Sequence, residues 1–285
     1  MPADVLRVRV YSAPWRAMAA SLMAVSGFGL MTILVAVVFA TDPPVEPPLL
    51  VRLIGALAVL PALAAAVLRR AAAGTARVDG TVLRLARGGL RVDVPVVSIV
   101  RVAPWRIPLP GAGMTLWLRS GTRLRYGVEA VGDPTPLLQA LAGAGGVAAA
   151  AAALAHPSIV YAATWPPPRR WPWLRVLAKF AGFGLAPAAI LFNAHQYIAY
   201  GGTLGQYYLL GLGPYLRTFA VYWLTVVIYL VLYAGAWRGV AEGAVCATAW
   251  IAPARARGVR RLAEAALRIA YYGGVPALLA LRFWG

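Results

Sequence analysis

Long uninterrupted apolar runs alternate along this chain with short charged ones. Residues 17–40 carry no charge and lead into Thr41-Asp42-Pro43-Pro44. A helix rising about 1.5 Å per residue needs about 20 apolar residues to cross roughly 30 Å of hydrocarbon, so this run predicts a first membrane span. A second run covers 49–70, with Pro61 inside it, Arg52 near its start and Arg69-Arg70 at its end. A third covers 176–200, and a fourth covers 215–237 with Arg238 at its end. The segment 262–281 is apolar apart from Glu264 and Arg268, but Gly273-Gly274 and Pro276 interrupt it. It reads as either a fifth span or a re-entrant or interfacial helix.

Between the second and third runs the period changes from helical to two. Thr81-Val-Leu-Arg-Leu, Leu90-Arg-Val-Asp-Val, Met114-Thr-Leu-Trp-Leu-Arg and Thr122-Arg-Leu-Arg-Tyr alternate apolar and polar positions, the signature of half-buried strands. Gly88-Gly89 and Ser120-Gly121 are hairpin connections, and Pro104, Pro108 and Pro110 open a longer loop. Asp133-Pro-Thr-Pro then leads into one alanine-rich helix that runs to His156-Pro157, with Asp133 or Thr135 as its N-cap.

The fold class expected is a mainly α-helical polytopic membrane protein of four to five transmembrane helices, carrying a small inserted antiparallel β domain capped by a helix. Its parts are an N-terminal transmembrane hairpin (1–70), a cytoplasmic β domain with its capping helix (71–157), and a C-terminal transmembrane region (158–285). The last holds two spans and the undecided segment. Val10-Tyr-Ser-Ala-Pro-Trp before Ser26-Gly-Phe-Gly-Leu is echoed by Val160-Tyr-Ala-Ala-Thr-Trp before Ala181-Gly-Phe-Gly-Leu, which suggests a parallel repeat of a two-helix unit.

Short antiparallel strands closed by one C-terminal helix and hung between spanning helices resemble the bacterial pleckstrin-homology-like domains of small membrane proteins. That resemblance implies a binding scaffold rather than catalysis. Some members of the family assemble or hold together photosynthetic or other membrane complexes, which gives the resemblance a functional direction by analogy.

Charge then fixes orientation. The formal net charge is +18, from 27 Lys and Arg against nine Asp and Glu, and 61% of residues are hydrophobic, well above the roughly 45–50% of soluble domains. Basic residues flank the apolar runs: Arg7, Arg9, Arg16, Arg69 and Arg70 lie on one side, while the 41–48 connection carries Asp42, Glu46 and no cation. By the positive-inside rule the N-terminus and β domain are cytoplasmic, in a bacterial inner membrane, whether cytoplasmic or intracytoplasmic. Cations placed between apolar runs argue against nucleic acid as the partner. Residues 239–261, with Arg255, Arg257, Arg260 and Arg261, read as a cytoplasmic loop.

Candidate chemistry is sparse. Proton and cation pathways need intramembrane acids, and none of the acidic residues lies deep in a predicted span. Cys246 is the one cysteine, so an internal disulfide is excluded, and its small-residue neighbourhood reads as packing. Of two histidines, His156 is a connecting-loop residue. His195, in Asn193-Ala-His-Gln-Tyr, has the position from which imidazole ligates haem iron or chlorophyll magnesium, although the ordinary reading is a hydrogen-bonded interfacial histidine. No catalytic or metal-binding constellation can be assembled. Arg69, Arg70, Arg169, Arg170, Arg175 and Lys179 form basic collars where anionic lipid headgroups would sit. Gly27, Gly29, Gly182 and Gly184 are positions for close helix approach.

The reading is a non-enzymatic accessory, scaffold or assembly subunit of a larger membrane complex, photosynthetic or respiratory. Its partners are other integral membrane subunits and anionic lipids. The alternatives are an anionic-lipid-binding or lipid-transport membrane protein, and third a pigment- or haem-binding subunit resting on His195.

Overall fold

A computed structural model describes residues 5–39, 47–145, 148–166 and 172–284. Its elements begin with strand β1 (Leu6–Ser12) and helix α1 (Ala13–Phe39). Helix α2 covers 47–71, with a π-turn at Gly55–Val59. Strands β2 (Ala73–Asp79), β3 (Val82–Arg87), β4 (Leu90–Pro95), β5 (Ile99–Pro104), β6 (Gly113–Leu118) and β7 (Tyr126–Ala130) follow. Then come α3 (Thr135–Gly145), α4 (Ala148–Leu154) and α5 (Pro157–Ala163). Helix α6 covers 172–200 with a π-turn at Ala178–Gly182, and α7 is Gly205–Leu210. Helix α8 is Leu212–Ile251, and α9 covers 256–284 with a π-turn at Ala270–Gly274.

Four of these helices are long and apolar enough to cross a membrane: Ala13–Val37, Pro48–Ala71, Trp173–Tyr200 and Leu212–Ile251. They coincide with the four predicted spans; α9 is not among them. The cytoplasmic loop expected over 239–261 is instead largely helix, because α8 continues unbroken to Ile251. No proline stands between Trp237 and Ile251, and the stop comes only at Ala252-Pro253. At about 1.5 Å per residue its 40 residues reach roughly 60 Å, twice the hydrocarbon thickness.

Contacts divide the chain into two compact units, Met1–Gly29 with Leu53–Pro168 and Ala241–Ala263, and Leu30–Arg52 with Arg169–Val240 and Glu264–Gly285. The first unit is built on a seven-stranded, curled antiparallel sheet of order β4-β3-β2-β1-β7-β6-β5. Sequence alternation had located β3, β4 and β6. The fourth alternating segment, 122–126, supplies only a bridge from Arg123 to Trp117, and the strand itself starts at Tyr126. Strands β1, β2 and β5 were outside the predicted set, and β1 lies near the middle of the sheet, paired with β2 and β7. The α1–α2 hairpin is therefore inserted between two adjacent strands, with Val8 opposite Gly74 on one side and Ala130 on the other.

One face of the sheet buries Val8, Val10, Leu83, Leu85, Met114, Leu116 and Val128 against Leu137, Leu138 and Leu141 of α3. Asp133 Oδ1 accepts from the Thr135 N–H at 2.9 Å, which caps the start of α3 as expected. The single predicted closing helix is two described segments, α3 and α4, with Gly145 at the end of the first. The other face of β1 carries a smaller core of Tyr11, Ala19, Ala72 and Trp105.

In the second unit Ala188, Val226, Leu230 and Tyr271 form the core. Its far end is held by Gln196, whose amide donates to Gln206 Oε1 at 2.8 Å, while Gln206 donates to Thr218 at 3.0 Å. Both glutamines are buried and satisfied, which is what makes buried amides tolerable. The two segments of the suggested repeat differ in structure: Val10-Tyr-Ser ends a strand, whereas Val160-Tyr-Ala-Ala belongs to helix α5.

Candidate functional site: an arginine cleft at the head of the hairpin

Strand β1 reads Leu6-Arg7-Val8-Arg9-Val10-Tyr11, and side chains along a strand alternate between faces. Leu6, Val8 and Val10 go to the main core, leaving Arg7, Arg9 and Tyr11 on the face nearer the hairpin. Glu129 of β7 stands directly across from Arg9 in the pairing register. Its Oε1 accepts from Arg9 at 2.5 Å and from Arg69, at the end of α2, at 2.9 Å. One carboxylate, 1% exposed, thus ties two strands of the sheet to the second helix of the hairpin. Arg69 also donates to the Met23 thioether of α1 at 3.3 Å. Beside this cluster the Tyr11 phenol is pushed well above its usual range, first by burial and then by the Glu129 charge.

These residues border a cleft of about 1060 Å³. Arg7, Arg9, Arg69 and Arg70 contribute to its lining together with Gly74 and Thr75 of β2, and Met23, Ser26, Gly27, Ala62, Ala65 and Ala66 continue it along the hairpin. Small side chains keep that part open: a Cβ at Gly27 would have no heavy atom within 4 Å.

A second buried ion pair stands in the same unit. Arg260, 4% exposed, donates from both terminal nitrogens to Glu242 at 2.6 and 2.8 Å. Tyr161 donates to the same carboxylate at 2.6 Å, and the guanidinium packs over the Tyr161 and Trp165 rings at 5.6 and 5.3 Å. Burial disfavours the Arg260 charge, but Glu242 more than offsets it, so its pKa is raised. The cluster is used up in internal pairing and joins α5, α8 and α9.

The predicted headgroup residues separate. Arg69 and Arg70 meet in the cleft, whereas Arg169 and Arg170 lie outside the described residues. Arg175 is exposed on α6. Lys179 belongs to the second unit, with its ammonium 4.4 Å from the Tyr271 ring centroid and 5.0 Å from that of Phe180. It lines a cavity of about 530 Å³ with Arg238, Glu264, Arg268 and Tyr271.

His195 is half-buried between aromatic rings, 5.3 Å from Tyr222 and 6.0 Å from Tyr200, and the buried polar side chain of its segment is the neighbouring Gln196. Among the described residues no group of three or more His, Cys, Asp and Glu is placed to hold a metal ion. His156 caps α5, its Nδ1 accepting from the Ser158 N–H at 3.3 Å. Of the four expected close-approach glycines, Gly29 meets Leu57 and Gly184 meets Val227 and Leu230, while Gly27 and Gly182 face no other helix.

Sequence reading missed Arg7 and Arg9 as site residues and missed Glu129 altogether. The period-two alternation of Leu6 to Val10 was the available signal. No protein-family model, curated protein or solved structure matches this chain.

Proposed function

We propose that this chain is a non-enzymatic, multi-pass membrane accessory or scaffold protein, in which a pleckstrin-homology-like domain is held at the cytoplasmic face of a bacterial inner membrane. The strand order, the curl of the sheet and the helix packed on its inner face support the domain reading. The observation that carries the functional reading is the attachment: both apolar helices of the hairpin leave and re-enter the sheet between adjacent central strands. A domain so anchored presents its outer strands to whatever stands beside it in the membrane.

Strand β5 is one of the two edge strands of the sheet, with no strand on its outer side among the described residues, and exposed Val97 and Val100 lie beside or on it. An open apolar edge is a strand-addition site unless it is covered, so other integral membrane subunits are the partners proposed. Gentle-detergent purification from native membranes tests this. The expected result is co-purification of other membrane subunits in fixed ratio, lost in Val100→Lys. A lone protein with turnover of its own would overturn the reading. Recognition of anionic lipid is a second reading, favoured specifically by the four arginines of the cleft.

A further inference from the structure

We infer that the arginine cleft is a binding site for the phosphate headgroup of an anionic lipid, with an acyl chain laid along the α1–α2 hairpin. This rests on the membrane reading of the hairpin and assigns it a ligand. Arg7, Arg9, Arg69 and Arg70 supply four positive charges and Glu129 one negative charge, leaving a net +3. Among the described residues no acid pairs with Arg7 or Arg70, and Glu129 spends a single oxygen on both Arg9 and Arg69.

Guanidinium groups present planar N–H forks that match phosphate oxygens, which makes an arginine cluster selective for phosphate esters over diffuse negative charge. Thr75 adds a hydroxyl at the same end. The cleft changes character along its length, from these cations to Met23, Gly27, Ala62, Ala65 and Ala66. A soluble phosphate would occupy only the cationic end. A phospholipid fills both, because its headgroup and chain are joined in the same order, and the cleft opens where a helical hairpin meets its domain, at headgroup level. The volume of about 1060 Å³ accommodates a headgroup and the upper part of a chain.

The experiment uses the full chain in neutral detergent. Native mass spectrometry would compare adducts with phosphatidylglycerol and phosphatidylcholine of identical chains, with inorganic phosphate as competitor. Each cation near an anionic headgroup is worth about a fivefold change in affinity. Arg7→Gln/Arg70→Gln is therefore expected to weaken phosphatidylglycerol binding roughly 25-fold and phosphatidylcholine binding by less, because the choline cation offsets the charge of the same phosphate. Arg119→Gln/Arg123→Gln, which removes the same charge from an exposed part of the sheet, is expected to change neither.

Gly27→Leu fills open space without a clash at its Cβ, so it should fold and still weaken lipid binding by blocking the chain. Equal loss in both charge variants, or no loss in Gly27→Leu, overturns the site. Displacement of the lipid by millimolar inorganic phosphate overturns the lipid assignment in favour of a soluble phosphate. Because binding is read in detergent, its failure is separable from failure of the membrane-accessory reading, which co-purification tests.

Discussion

Replacing Glu129 by glutamine should loosen the junction between sheet and hairpin more than any other conservative change in the first unit. The carboxylate is 1% exposed and sits between Arg9 and Arg69 at 2.5 and 2.9 Å. The substitution keeps the volume but leaves two guanidinium groups facing one another without an anion. Breaking a buried ion pair costs about 3–5 kcal/mol. The lower end applies here, since the Arg9 and Arg69 side chains keep 22% and 25% exposure and can recover some hydration. About 3 kcal/mol corresponds to roughly a 150-fold change in an opening equilibrium. Hydrogen-exchange mass spectrometry of the detergent-solubilised chain reads this directly, because amides of β1 and β7 exchange through that opening. Their protection should fall by about two orders of magnitude, while the α6 and α8 peptides stay as in the parent. The Glu129→Gln/Arg9→Gln variant should lose less than the sum of its single changes. Protection in β1 and β7 within about threefold of the parent would refute the claim that Glu129 holds the junction, since it would mean under ~1 kcal/mol of coupling.

Arg260→Met removes two charge-assisted bonds from Glu242 and is expected to cost about 3 kcal/mol, read as a lowered thermal midpoint, with Glu242→Leu/Arg260→Met recovering most of it. Gly29→Ala places a Cβ 2.5 Å from the Leu57 carbonyl oxygen and should destabilise the hairpin by about 1–3 kcal/mol. Gly27→Ala meets nothing and should stay within about 0.5 kcal/mol of the parent in the same melts. Burial, and then the Arg106 charge, lower the His156 pKa below its ordinary 6.5. The unfolded chain therefore binds that proton more readily, so His156 costs stability as pH falls below about 6.5. Melts in the parent should lose more stability from pH 7 to pH 5 than melts of His156→Gln, and identical pH slopes would refute it.

Legibility in the sequence followed the length of each signal. The four long apolar helices were readable because long apolar runs with no charge over 16 or more residues predict helices able to span a bilayer. Strands β3, β4 and β6 were readable from a local period of two. Strand β1 was not, because its two arginines stand just before an apolar run and look like topogenic charge, and its partners Gly74 and Ala130 lie far along the chain. Glu129 was invisible for the same reason: its meaning depends on Arg9 and Arg69, 120 and 60 residues away. The continuation of α8 past Arg238 was misread because four arginines after it suggested a loop. Arg260 instead turns inward to Glu242 and is buried, so its charge marks a tertiary contact rather than a solvated segment.

The most direct test of a membrane-anchored domain is side-specific labelling. In a Cys246→Ala background, single cysteines at Ser120, in the exposed turn after β6, and at Thr203, in the exposed connection after α6, would be offered a membrane-impermeant maleimide on spheroplasts and on inverted membrane vesicles. The expected result is labelling of Thr203→Cys from outside and of Ser120→Cys only from the cytoplasmic side. Labelling of both from one side, or of Ser120→Cys on intact spheroplasts, would contradict a cytoplasmic domain carried on spanning helices.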